Sequence, residues 1–198
     1  MGFNYVFKSL VFLSLTSCSW YWYSASLQPF LNEKYGFDSS QTGLVFMAGA
    51  SSYTITTPIF GIFLDKGFSE ARMIIVGNAI IVIAYLILGP VPLLSFLKPN
   101  YCFTLFSLVM QGVGTSAAYL GSLCYMLKGL EMSGIPDTEQ SQGMVPSLYI
   151  IGDCMGAYVG AAVGGLAYQV LGFEAASYIP LGVMFVVTLG FMILNKNC

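Results

Sequence analysis

The chain has 198 residues, of which 57% are hydrophobic and 8% charged, against about 25% charged in an ordinary soluble domain, so a water-facing surface cannot be covered. Seven basic and nine acidic residues leave a net charge of −2 with no basic run, which excludes a nucleic-acid partner held through its phosphates. The absence of histidine removes His-based metal sites, Ser-His-Asp triads and histidine proton relays built from this chain's own residues.

Six long apolar segments follow one another, separated by short stretches that collect nearly all the charges. Their spacing predicts membrane spans at about 6–30, 41–65, 72–95, 101–128, 143–170 and 175–195. Each is apolar nearly all round, and in lipid every backbone donor must be satisfied within the segment, so helices are expected. The fold class is therefore all-α, a single six-helix transmembrane domain over residues 1–198, with the lipid bilayer as its first partner.

The first segment begins like a signal peptide, because Lys8 precedes an apolar stretch and Ser24-Ala25-Ser26 resembles a cleavage site. Its apolar run continues to Leu31, which at ~1.5 Å per residue exceeds the ~30 Å hydrocarbon core and reads as a retained anchor. Within it, Trp20-Tyr21-Trp22-Tyr23 suits either an aromatic cage for an ammonium, with Trp22 as the candidate residue, or an interfacial aromatic belt. Asp38, Ser39 and Ser40 supply N-cap chemistry for the second span. The third is stopped by Gly89-Pro90-Val91-Pro92, since paired prolines remove donors and push each preceding residue out of the helical region. In the fourth, Gln111 is either a pore-lining hydrogen bonder or a helix-to-helix link.

Span five carries the most information. Gly152, Gly156, Gly160 and Gly164 recur every four residues, followed by Gly165; at ~100° per residue the four fall within a sector of about 120°. Such a face lets another helix approach closely, whatever else it does. Asp153 lies in the same sector. A carboxylate at membrane depth costs ~2.5–3.5 kcal/mol on insertion scales, so it faces protein or a watery cavity, as a cation or proton site or as a polar packing group. An intramembrane aspartyl protease is not indicated, because Gly-x-Gly-Asp and a second mid-span aspartate are both lacking. No enzyme activity, catalytic residue, cofactor or metal site is expected. The five cysteines, odd in number and without a C-x-x-C pair, read as packing residues.

Five basic residues, Lys8, Lys66, Arg72, Lys128 and Lys196, fall on one side of the predicted spans, and Lys34 and Lys98 on the other. This distribution places both termini in the cytoplasm. The polar run before span two and its exit at Gly67-Phe68 are echoed before span five and at Gly172-Phe173, as in the three-plus-three inverted repeats of transporter halves.

Gly61-Ile62-Phe63-Leu64-Asp65-Lys66-Gly67 resembles the Gly-x-x-x-Asp-(Arg/Lys)-x-Gly loop of the major facilitator superfamily, with Phe68-Ser69-Glu70-Ala71-Arg72 in place of the usual second glycine and basic pair. The run from Gly156 to Gly165 is similar to that superfamily's antiporter glycine motif, with Ala161 where a proline is usual. The order Gly43-Leu44-Val45-Phe46, Ser52-Tyr53, Pro58-Ile59-Phe60-Gly61, Leu88-Gly89-Pro90-Val91-Pro92 and Gly172-Phe173-Glu174-Ala175-Ala176 resembles the C-terminal six helices of the vesicular amine and polyamine transporter family. That resemblance implies a twelve-helix parent architecture and proton-coupled exchange of organic amines. Two acidic positions of those transporters correspond to Ser24 and Tyr125 here, and Asp153 stands where polyamine-type members carry a bulky residue.

The expectation is a half-length transporter of a small organic cation, exchanging it for protons. Its candidate binding residues are Asp153, Gln111 and Trp22, its loop motif is Gly61, Asp65, Lys66 and Arg72, and a second six-helix unit completes it, as another copy or a separate chain. Its expected place is a vesicle, organelle or plasma membrane. The alternative is a non-transporting membrane protein, a partner or regulator of a full transporter.

Overall fold

The computed structural model describes residues 2–88, 101–134 and 139–194. Among them are six helices and no strand. Four precede the long polar connection: α1 (Gly2–Tyr35), α2 (Ser39–Asp65), α3 (Glu70–Leu88) and α4 (Tyr101–Met132). The helical stretch Glu139–Leu194 is broken at Gly172, whose φ of 73° and ψ of 170° lie outside the helical region. The break separates two spans, α5 (Gly143–Phe173) and α6 (Ala175–Ile193). A left-handed residue is nearly free only for glycine, so Gly172 joins the two spans without a loop. The expected extension of span three to residue 95 lies outside the described residues.

The caps follow from local chemistry. Asp38 accepts from the Gln41 amide at 2.8 Å while the Gln41 side chain accepts from the Asp38 amide at 3.2 Å, a reciprocal capping box. At the other end of α2, Gly67 has φ +88°. Its amide donates to the Leu64 carbonyl at 2.9 Å and that of Phe68 donates to the Phe63 carbonyl at 3.1 Å, the two bonds of a Schellman ending.

Helices α3 to α6 are long and apolar enough to cross a membrane on length and composition alone. The other two are long enough but carry more hydroxyls. In α1, Ser9, Thr16, Ser17, Ser19 and Ser26 are buried inside the bundle. In α2, Thr54, Thr56 and Thr57 close on carbonyls one turn back at 2.7–2.9 Å, so the hydroxyls are satisfied within their own helix.

Packing is set by glycine. A Cβ at Gly156 would fall on the Ser14 carbonyl and Ser17, one at Gly160 on the Cys18 backbone, and one at Gly164 within 3.0 Å of Trp22. Helix α5 thus lies directly on the backbone of α1. On the opposite flank, Gly112 of α4 meets Gly49 and Ser52 of α2, and Gly77 of α3 meets Gly114 and Ala118 of α4. Phe12 of α1 packs edge-on against Phe191 of α6 at 4.4 Å. Helices α2 and α3 therefore pack on α4, and α5 and α6 pack on α1. Close packing of this kind replaces the hydrophobic effect, which does not drive helix association in lipid.

Candidate functional site

Asp153 sits ten residues into α5, about 15 Å along its axis, half-buried, and is met there by two neighbours from mid-helix positions. Ser17 of α1 donates to Asp153 Oδ1 at 2.7 Å. The Tyr119 hydroxyl of α4 lies 2.7 Å from the same oxygen and 2.7 Å from Ser17 Oγ. The three oxygens form a triangle tying together α1, α4 and α5. At 2.7 Å both hydroxyls are at ordinary O–H···O hydrogen-bond distance, so two neutral dipoles meet the carboxyl group, with no basic side chain paired to it among the described residues. Close approach of α5 to α1 is the precondition: Gly152 and Gly156, on either side of Asp153, are buried against Leu10, Ser14 and Ser17.

The carboxylate borders a cavity of about 190 Å³ lined by Trp20, Tyr21, Ala50, Tyr53, Thr54, Thr115, Tyr119 and Asp153. Its walls come from α1, α2, α4 and α5. Tyr119 stands edge-on between Tyr53 at 6.2 Å and Tyr149 at 5.9 Å. One carboxylate among aromatic rings is an environment that favours an organic cation, because ring faces and the carboxylate attract the same charge. Among the described residues no group of three or more His, Cys, Asp or Glu side chains is placed to hold a metal ion.

The other residues singled out from the sequence are distributed through the bundle. Trp22 is not among the cavity-lining residues: it is 4% exposed and clusters with Ala167 and Ala176 beneath Gly164. A helix turns about 100° per residue, so Trp20 and Tyr21 of the same aromatic run line the cavity while Trp22 faces α5. Gln111 is fully buried, and its amide donates to Ser19 Oγ at 3.4 Å, which makes it a helix-to-helix contact rather than a cavity wall. Four glycines of the ladder meet α1, but nothing lies within 4 Å of a Cβ built at Gly165.

At the α2–α3 turn, Asp65, Lys66 and Arg72 are exposed and Gly61 is half-buried, with Leu120 3.9 Å from where its Cβ would be. Among the described residues, the ion pair at this end is Glu70 with Lys128, at 2.9 Å between α3 and α4. Sequence reasoning missed Ser17, Tyr119, Tyr53 and Thr115. The available signal was a hydroxyl-bearing residue midway along a predicted span, but many residues here share that property.

The sequence profile described as Major Facilitator Superfamily matches residues 10–196. MFS-type transporter SLC18B1 of Mus musculus is 31% identical over 170 residues, covering 85% of this chain and 37% of the relative. The Homo sapiens protein of the same name is 31% identical over 172 residues, covering 86% and 37%. The chain thus spans little more than a third of the length of these curated relatives.

Proposed function

Because the chain belongs to the major facilitator superfamily, a family of transporters and not of enzymes, we propose that its transport cargo is a small organic cation of the amine class, exchanged for protons at Asp153. The observation that carries this reading is the carboxylate in the aromatic-lined cavity at mid-span. Burying a carboxylate is costly unless a cation, proton or hydrogen-bond donor accompanies it. Ser17 and Tyr119 supply donors to Oδ1, and an ammonium or a proton takes the other carboxylate oxygen. Occupied by one or the other, the site couples the two fluxes.

Facilitator sites lie between two halves near the bilayer midplane. The cavity between α2 and α5 supports a second six-helix unit as its far wall, contributed by another copy or by a separate chain. Basic residues concentrate at the end of the bundle bearing Lys8, Lys66, Arg72 and Lys128, which supports cytoplasmic termini. The membrane is that of a vesicle or organelle, or the plasma membrane.

In proteoliposomes carrying a pH gradient, the parent chain accumulates a labelled amine and Asp153→Asn does not, while inserting with equal yield. Full uptake by the Asn variant would refute the residue assignment. Absence of uptake of any amine by the parent would favour the non-transporting alternative.

A further inference from the structure

Hydroxyls in the middle of helices usually spend their hydrogen bond on a carbonyl one turn back, and Thr16, Ser26, Thr54 and Thr188 all do so here. Thr115 does not. It is 2% exposed, its Oγ1 has no hydrogen-bond partner, and it lines the same cavity as Asp153. One turn further along α4 is Tyr119, which holds the carboxylate. A buried hydroxyl without a partner costs free energy, and a ligand that offers it a partner recovers that loss.

We infer that Thr115 is a specificity-determining residue, and that the cavity takes a compact cation with a single ammonium and a hydroxyl a few bonds away. The inference rests on the reading of Asp153 as a cation site. The ammonium lies against Asp153 and the rings, and the ligand hydroxyl meets Thr115 Oγ1. A further observation limits the ligand: among the described residues Asp153 is the one carboxylate lining this chain's wall of the cavity, so a second ammonium placed against this wall would be desolvated by aromatic and apolar groups without a counter-charge.

The chain contains two tryptophans, and Trp22→Phe leaves Trp20, on the cavity wall, as the sole reporter. Fluorescence titration of that protein in detergent compares three probes: butylamine, 3-amino-1-propanol, in which a hydroxyl replaces butylamine's terminal methyl, and putrescine, which adds a second amine to butylamine. The amino alcohol binds about tenfold more tightly than butylamine, the worth of one recovered hydrogen bond, and putrescine gains nothing from its second charge. Thr115→Val reduces the ratio of amino alcohol to butylamine affinity to about one, and Thr115→Ser preserves it.

Equal affinities in the parent, an unchanged ratio in Thr115→Val, or tighter binding of putrescine overturns the inference. If the amines bind in an Asp153-dependent way without a hydroxyl preference, only the Thr115 inference fails. If no amine binds, the cation-site reading fails with it. Should the Val variant not fold, loss of the preference in Thr115→Ser, or equal probe affinities in the parent, still counts against it.

Discussion

An unpaired carboxylate persists in this bundle because two hydroxyls are delivered to it by backbones that glycine brings close. Removing one donor should therefore be felt through the other residues of the triangle. Tyr119→Phe is expected to lower stability by ~1.5–3 kcal/mol, the range for a hydrogen bond to a charged group, measured as thermal unfolding in detergent. In an Asp153→Asn background the same change should cost much less, since the charge that makes the bond strong is gone; an undiminished effect would show that Tyr119 acts by packing alone. Asp153 could be found from the sequence because charge is rare in these spans. Tyr119, Ser17 and Thr115 could not, because serine, threonine and tyrosine recur throughout the helices and only the crossing of α1, α4 and α5 selects these three. Trp22 shows the same limit: an aromatic run marks a neighbourhood, and the rotation of α1 decides which ring faces the cavity.

At the scale of the element, the glycine ladder of α5 divides into positions that touch α1 and one that does not. Gly156→Ala places a methyl on the Ser14 carbonyl and Ser17 and should destabilise by ~1–3 kcal/mol, as overpacking does. Gly165→Ala meets nothing within 4 Å and should be neutral or stabilising by up to about 1 kcal/mol, because glycine is a poor helix residue. Folded yields and unfolding temperatures of the two variants separate these outcomes; equal losses would place α5 away from α1. A periodicity of four revealed the ladder in the sequence, but periodicity cannot say where the partner helix ends, so Gly165 joined the set. The helix ends were more legible, since the capping box at Asp38 and the left-handed glycines at 67 and 172 are local chemistry.

For the whole molecule, composition and segment length were sufficient to indicate six helices. The orientation is open to direct measurement: single cysteines at Lys34 and Lys66, in a background without native cysteines, should label from opposite sides of the membrane, and same-side labelling would contradict the six-span path. A second six-helix unit predicts that the active species runs as a dimer or heterodimer in mild detergent, whereas robust uptake by a proven monomer would contradict it. Everything in the transport reading turns on one carboxylate holding either a proton or an ammonium. Equilibrium binding of a labelled amine, measured across a pH series for the parent and for Asp153→Asn, tests this most directly. Competition for the same oxygens predicts that the parent's affinity weakens as the solution is acidified and that the Asn variant binds no amine, whereas equal binding by both proteins at every pH would contradict it.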